Sequence, residues 1–316
     1  MRSVENVTIA NEGAERFLQA AALLPATLRR TVEQLPVQKQ NTAEEFRLRC
    51  GRPMTVAYSG GEEALPGCDG QVVKASDLNQ VLEIATQASA HTVLDRVRNG
   101  FVTVRGGHRI GICGSGVVKD GAVTNLRQIS SLSIRIARPA PGAAAQVLDE
   151  LLEGGKLRST LILSPPGWGK TTLLRDIIRS VSDGKGMAPM RVGVADERGE
   201  LAAMYEGQPQ LDIGAHTDVM DGCPKDVGLL MLLRGMNPQV LCADEITAPA
   251  DCAALEMAAN CGVILLATAH GESLSDLAVR PLYRRLLEQN IFSRLLTIER
   301  RNGIRRYRVT RLGVST

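Results

Sequence analysis

The run Ser164-Pro165-Pro166-Gly167-Trp168-Gly169-Lys170-Thr171 has the residue types and spacing of a phosphate-binding loop. Gly167 and Gly169 let backbone N–H groups curl around a β-phosphate. Lys170 is placed to reach the β- and γ-phosphates, and the Thr171 hydroxyl to sit on Mg²⁺. Residues 164–171, together with Thr172, are the expected ATP contacts. The usual motif opens on Gly, and here that position is Ser164. Ser is small and Pro165-Pro166 stiffen the turn, so a working loop is expected. Its setting supports this. The apolar strand Thr160–Leu163 precedes it, and an amphipathic helix beginning near Thr171 follows. Leu173, Leu174, Ile177, Ile178 and Val181 give that helix one buried face, and its positive end points at the phosphates.

Three other segments bring chemistry to strand ends. Val240-Leu241-Cys242-Ala243-Asp244-Glu245 is an apolar strand closed by two acids. Asp244 is expected to hold Mg²⁺ through water, and Glu245 to orient and deprotonate the attacking water. Val194-Ala195-Asp196-Glu197-Arg198-Gly199-Glu200 offers Glu197 and Glu200 to position Mg²⁺-bound or attacking water. Ala267-Thr268-Ala269-His270-Gly271 places His270 where it can contact the γ-phosphate or the water network of Glu245. Acids often end strands, and a lone His is usually structural; the case rests on strand C-termini converging on one crevice in such a fold. Hydrolysis also needs positive charge on the leaving phosphate, often an arginine from a neighbouring subunit. Arg127, Arg135 and Arg138, just before a linker, and Arg234 are candidates, Arg135 and Arg138 being taken into the catalytic set. Each alone also fits an ordinary surface ion pair. His91, His108 and His216 have no comparable context.

The elements that must hold these groups follow from the pattern. The chain of 316 residues is long enough for two domains. Residues 1–138 are expected to form a smaller α+β domain. Helices are predicted over Glu12–Leu24, Ala26–Leu35 and after Asp77 as N-cap, the last with Leu78, Val81, Leu82, Ala85 and Ala88 at helical spacing. Strands are predicted at 46–49, 54–58, 101–105, 109–113, 116–119, 122–125 and 131–138. Pro139–Ala145 reads as the linker. From 146 to 316 strands at 160–164, 191–196, 239–244 and 262–269 alternate with helices at 171–182, 225–235 and 250–260. That alternation implies an α/β domain with a parallel sheet. The chain ends in a hairpin whose Asn302-Gly303 turn pairs Arg301 with Ile304, Glu299 with Arg306, Ile298 with Tyr307 and Leu296 with Val309.

Composition narrows the function classes. Aromatics are only 3%, against a broad base-stacking platform. A net charge of +3 does not by itself imply nucleic acid or membrane. The seven cysteines lack CxxC spacing and read as reduced, mostly buried thiols. No apolar run approaches the roughly 18 residues of a spanning helix, and no signal-peptide pattern opens the chain. A soluble protein that reaches any membrane through partners is expected.

The ordered set of phosphate loop, acidic box, Asp-Glu strand and His box resembles the secretion ATPases of type II and type IV systems. It is more similar still to the stage III sporulation protein AA family. Phe46-Arg47-Leu48-Arg49-Cys50-Gly51-Arg52-Pro53 looks like that family's arginine-rich strand and turn. Arg98-Asn99-Gly100-Phe101-Val102-Thr103, Gly107–Gly114 and Ile129–Arg138 look like its later signatures. Ser164 and Trp168 depart from the usual loop. The resemblance covers roughly 40–300. It implies a RecA-like P-loop domain, ATP and Mg²⁺ as ligands, and a cytoplasmic homo-oligomer expected as a ring hexamer. It also implies inner-membrane channel proteins as partners. In that family ATP hydrolysis would drive assembly of, or transport through, the channel between mother cell and forespore. Nucleic acid is absent from this leading reading. Two alternatives stand beside it. One is a nucleic-acid-dependent ATPase using the six arginines between 300 and 311. The other is a nucleotide-gated scaffold, against which Glu245 argues, since binding alone needs no water-activating carboxylate.

Overall fold

Apolar and polar residues alternate along Phe46-Arg47-Leu48-Arg49 and Leu132-Ser133-Ile134-Arg135, as strands with one buried face require. Both are strands in the computed structural model of the chain, which describes residues 13–65, 71–86, 100–139, 141–301 and 304–313. Glu12, Cys68, Ala88, His91, Arg98, Asn99, Ala140 and the Asn302-Gly303 turn lie outside the described residues. Two units are present. One runs to Arg138 and includes Tyr205–Gln210; the other comprises Pro139–Met204 and the chain from Leu211.

The first unit contains α1 (13–21), α2 (Ala26–Glu33), α3 (Val37–Thr42), β1 (Ala43–Arg49), β2 (Thr55–Tyr58) and β3 (Gly61–Ala64). After these come α4 (Ala75–Thr86), β4 (Phe101–Thr103), β5 (Arg109–Lys119) and β6 (Ala122–Arg135). The strands form one antiparallel sheet in the order β3-β2-β1-β6-β5-β4. One face is covered. Phe17 of α1 meets Phe46 of β1 edge to face at 5.0 Å between centroids. Leu28 and Val32, and Leu78, Val81 and Ala85, close on Leu48, Ile110 and Ile134. The other face carries the alternating arginines. Arg135 lies 3.2 Å from Glu45, and Arg49 pairs with Glu62.

Several local expectations are corrected here. The short segments 109–113, 116–119, 122–125 and 131–138 are two long strands, β5 and β6. Their pairing shifts between Cys113 and Ser115, and Gln128 takes φ of 46°. A bulge interrupts the alternation without ending the strand. Asp77 is not the N-cap: α4 begins at Ala75, and Asp77 reaches back from the first turn to accept the Lys74 N–H at 2.8 Å. α3 and β3 carry little sequence signal, because six residues are too few for a helical period and Gly61–Ala64 is exposed throughout. Among the described cysteines only Cys242 and Cys252 are buried, while Cys50, Cys113 and Cys261 are exposed.

The second unit opens with two 3₁₀ turns, Ala143–Gln146 and Leu148–Leu151, and the small pair β7 (Leu152–Glu153) and β8 (Lys156–Leu157). Ala144 is buried, and its N–H donates to Asp176 at 2.7 Å. Next come β9 (Thr160–Ser164), α5 (Lys170–Ser182), β10 (Val192–Asp196) and β13 (Thr217–Asp221); the small pair β11 (Met204–Tyr205) and β12 (Gln208–Pro209) lies between β10 and β13 in the chain and, from Tyr205 on, belongs to the first unit. They are followed by α6 (Lys225–Gly235), β14 (Val240–Ala243), α7 (Pro249–Asn260), β15 (Ile264–His270), α8 (Leu274–Val279) and α9 (Pro281–Glu288). The hairpin β16 (Arg294–Arg301) and β17 (Ile304–Arg311) completes the unit.

The large sheet has the order β13-β10-β14-β15-β9-β16-β17, parallel as far as β16, with β17 antiparallel at the edge. Side chains alternate between two cores. Ile162, Val194, Cys242 and Leu266 face α5, through Leu173, Leu174, Ile177 and Ile178. Leu161, Leu163, Leu241 and Leu265 face α6, α7 and α9. Burial on both faces explains the near-continuous apolar runs in the sequence. The strands and helices expected here fall within a few residues of their predicted positions. β13 departs from that apolar pattern, since Thr217-Asp218-Val219-Met220-Asp221 is acid-rich.

Candidate nucleotide site

Four strand ends meet at one edge of the large sheet: Ser164 of β9, Asp196 of β10, Asp244 just past β14 and His270 of β15. The parallel register enforces this, because it aligns His270 with Ser164 and Ala195 with Ala243. The phosphate loop runs from Ser164 into α5. Gly167 has φ of 74° and Gly169 has φ of 97°, left-handed values that favour glycine. Gly169 is the N-cap of α5, so the unpaired N–H groups of the first turn face the loop.

Lys170 is 4% exposed, and its Nζ lies 2.9 Å from His270 Nδ1. His270 Nε2 lies 2.8 Å from Glu245 Oε1, and Arg198 Nη1 donates to Glu245 Oε2 at 2.7 Å. An ammonium can only donate, so His270 Nδ1 accepts and the ring proton sits on Nε2, donated to Glu245. Lys170, His270, Glu245 and Arg198 are thus one hydrogen-bonded chain. Burial pulls the Lys170 ammonium below its ordinary value, opposed by Glu245, Asp244 and Glu200.

Asp244 accepts from Thr171 Oγ1 at 2.6 Å and from Thr268 Oγ1 at 2.5 Å. Burial pushes its carboxyl above the ordinary carboxylate range, and the two hydroxyls pull against that. Thr268 also accepts the Glu245 N–H at 2.8 Å, so one hydroxyl ties both acids. Glu245 has φ of 53°, a costly conformation for a side-chain-bearing residue. Its carbonyl is held by Lys225 Nζ at 2.6 Å. Lys225 is itself buried, 3.5 Å from Glu197 and 3.7 Å from Asp251.

The acidic loop is pinned from below. Asp196 is buried and accepts from the N–H groups of Glu200, Leu201 and Ala202 at 2.8 to 3.1 Å. Arg175 of α5 donates to the carbonyls of Glu200 at 2.6 Å and Leu201 at 2.7 Å. Glu197 is exposed and Glu200 half-buried.

Of the residues singled out from sequence, Lys170, Thr171, Asp244, Glu245 and His270 stand within one hydrogen-bonded cluster. Arg135 and Arg138 belong to the first unit. Arg138 donates to the carbonyls of Gln40, Asn41 and Ala43. Arg127 and Arg234 are exposed. His108 is buried and accepts the Ala137 N–H at 3.1 Å, and His216 lies 2.8 Å from the Ser182 carbonyl. The sequence reading missed Thr268, Lys225 and Arg198. Thr268 was within reach, since it lies two residues before His270 on the same strand face. Arg198 sits inside the acidic run. Lys225 gave no local signal.

The donor set fits a nucleotide with Mg²⁺. One hydroxyl and one carboxylate, Thr171 and Asp244, already meet, and such a cation takes its remaining ligands from water and phosphate. Among the described residues no group of three or more His, Cys, Asp or Glu forms a self-sufficient metal cage.

The chain is similar to known proteins over most of its length. The sequence matches the profile described as "Sporulation stage III, protein AA" over residues 14–309. It is 39% identical over 286 residues to the stage III sporulation protein AA of Bacillus subtilis (strain 168), covering 90% of this chain and 92% of that protein. Among solved structures, the pilus retraction motor PilT with bound ADP superposes with a TM-score of 0.60 at 15% identity, covering 92% of this chain and 83% of that one. The Legionella pneumophila ATPase DotB superposes with a TM-score of 0.56 at 14% identity, covering 90% and 80%. The fold is therefore a RecA-like P-loop domain preceded by a smaller α+β domain.

Proposed function

The chain belongs to the "Sporulation stage III, protein AA" family, and on that premise we propose that it is a Mg²⁺-dependent ATPase of the secretion-motor type. It works as a ring, expected to be a hexamer, in the cytoplasm against inner-membrane channel proteins. Its hydrolysis powers assembly of, or transport through, the channel joining mother cell and forespore during endospore formation. Among the described residues no helix is long and apolar enough to cross a membrane, so any such helix in the complex would come from partners or from undescribed segments.

The observation that carries this reading is the hydrogen-bonded chain Lys170–His270–Glu245–Arg198 beside the Thr171–Asp244 pair. Phosphates in the loop would draw the Lys170 ammonium away from His270 Nδ1, which would then be free to sense their arrival. Glu245 has both oxygens engaged, yet each keeps a lone pair for a water. Glu245 takes the proton of the water that attacks the γ-phosphorus. The bond to the β–γ bridging oxygen breaks, and ADP leaves with that electron pair. Mg²⁺, when held by Thr171 and Asp244, supplies positive charge to the phosphates. Arg175, Asp196 and Lys225 keep the acidic loop and Glu245 in place while charge builds up. Glu197 and Glu200, at the rim, orient water. Arg135, exposed on the first unit, is the candidate arginine for a neighbouring subunit.

The test is phosphate release per subunit over a wide range of protein concentrations, with Glu245→Gln as blank. Specific activity that climbs with concentration is expected, since a neighbour completes the site. A chain monomeric at all concentrations with flat activity would remove the ring motor, and no activity at all would favour the scaffold. The nucleic-acid reading has less to rest on. Arg308 pairs with Glu299 at 3.2 Å, and Arg311 lies 3.8 Å from Glu153, so the hairpin arginines are not one free basic stripe. ATPase stimulation by single-stranded RNA, lost at high salt, would revive it.

A further inference from the structure

The C-terminal hairpin does more than close the sheet. β16 pairs with β9 only from Arg294 opposite Thr160 to Thr297 opposite Leu163. β9 then ends and the phosphate loop begins, but β16 continues to Arg301 and β17 returns from Ile304. The hairpin therefore overhangs the loop. Along its length, Leu296, Ile298, Tyr307 and Val309 face the core shared with α5. Side chains alternate every residue, so the next positions on that face are Arg300 and Arg305, which sit directly opposite each other. The apolar stripe turns cationic where it passes from the body of α5 to its N-terminus. The contact is close: a Cβ on Gly169 would lie 3.1 Å from Arg305 Cζ.

That arrangement is unfavourable without an anion. Like charges opposite one another on a sheet repel, and a helix N-terminus is the positive end of its dipole. Arg300 and Arg305 are both exposed. Neither makes an ion pair or side-chain hydrogen bond among the described residues, whereas Arg308, on the opposite face, is paired with Glu299.

We propose that Arg305, supported by Arg300, is a nucleotide-binding residue that acts within its own subunit, clamping the polyphosphate of a nucleoside diphosphate or triphosphate onto the loop at Gly169. The proposal rests on the nucleotide reading of the loop. It makes the Arg300–Arg305 pair part of the nucleotide site, held in place when phosphates are bound and repelled when they leave.

The test is equilibrium titration of the full chain with a fluorescent ADP analogue, so that turnover plays no part. Arg305→Ala is expected to weaken binding about tenfold, the size of one charge-assisted hydrogen bond. Arg305→Lys should recover part of it, Arg300→Ala should show a smaller loss, and Arg308→Ala should bind like wild type. Raising the salt should narrow the gap between wild type and Arg305→Ala. Wild-type affinity in a folded Arg305→Ala would overturn the proposal while leaving the nucleotide reading intact. An equal loss for adenosine would overturn it in favour of stacking on the base. If Arg305→Ala does not fold, Arg305→Lys and Arg305→Gln take its place, and equal ADP affinity in both would overturn a charge contact. Failure of the wild-type protein to bind ADP at all would overturn both readings together.

Discussion

Thr268 carries two jobs on one oxygen, donating to Asp244 and accepting from the Glu245 N–H. Thr268→Val keeps the shape and leaves that N–H without its partner. It is expected to lower stability by about 1–3 kcal/mol and to cut Mg²⁺-dependent turnover, with Thr268→Ser restoring both. Urea unfolding and phosphate release check this. At the loop, Lys170→Ala is expected to abolish tight ATP binding. Glu245→Gln should bind ATP normally and lose turnover by about 10²–10⁴-fold, read by nucleotide titration beside phosphate release; an active Glu245→Gln enzyme would remove the carboxylate from the mechanism. Lys170, Thr171, Asp244, Glu245 and His270 were all legible in the sequence, because each stands at the end of an apolar strand or in a glycine-rich turn. Lys225 was not. Its position before a helix carries no local mark, and only the return of the chain brings its amine onto the Glu245 carbonyl.

Elements were legible where their period was uninterrupted. The register of β16 with β17 follows from a two-residue turn, and Arg301 opposite Ile304 through Leu296 opposite Val309 is what the structure shows. β5 and β6 look like fragments in the sequence because a bulge breaks the alternation near Ser115. The start of β5 also yields a pH prediction. Burial of His108 lowers its pKa from the ordinary 6.5 to about 4, and its Nδ1 must stay unprotonated to accept the Ala137 N–H. The unfolded imidazole takes a proton near pH 6.5 and the folded one not until about pH 4. Between those values the unfolded state binds more protons, so stability rises with pH and is lost on acidification. The loss should reach about 3 kcal/mol near pH 4. Urea melts at several pH values check it, and His108→Gln should flatten the dependence across that window.

At the scale of the whole molecule the proposed ring calls for an arginine shared between subunits, and Arg135 and Arg138 differ in their fitness for it. Arg138 is bound to three backbone carbonyls of its own unit, so Arg138→Ala is expected to destabilise by about 1–3 kcal/mol, and lost activity there would say nothing about catalysis. Arg135 is 60% exposed at its side chain and touches only Glu45 in the ion pairs described. Arg135→Ala should fold, bind ATP and lose turnover. Mixing it with Glu245→Gln should restore part of the activity, since some interfaces then hold one intact Arg135 and one intact Glu245. Phosphate release that stays at background in the mixture would exclude Arg135 as a residue shared between subunits. By itself the sequence determined the α/β class, the four strand ends and the acids, lysine and histidine they carry, because periodicity and turn chemistry are local properties of the chain. Only the tertiary structure decided that Lys170 meets His270 and that Thr268 joins Asp244 to Glu245. The same holds for Lys225 supporting a strained Glu245 and for Arg305 lying against Gly169. Each of these contacts joins separate elements: the parallel register of β9, β14 and β15 brings Lys170, His270, Thr268 and the two acids to one edge, while the antiparallel return of β17 carries Arg305 and α6 carries Lys225 to the same place.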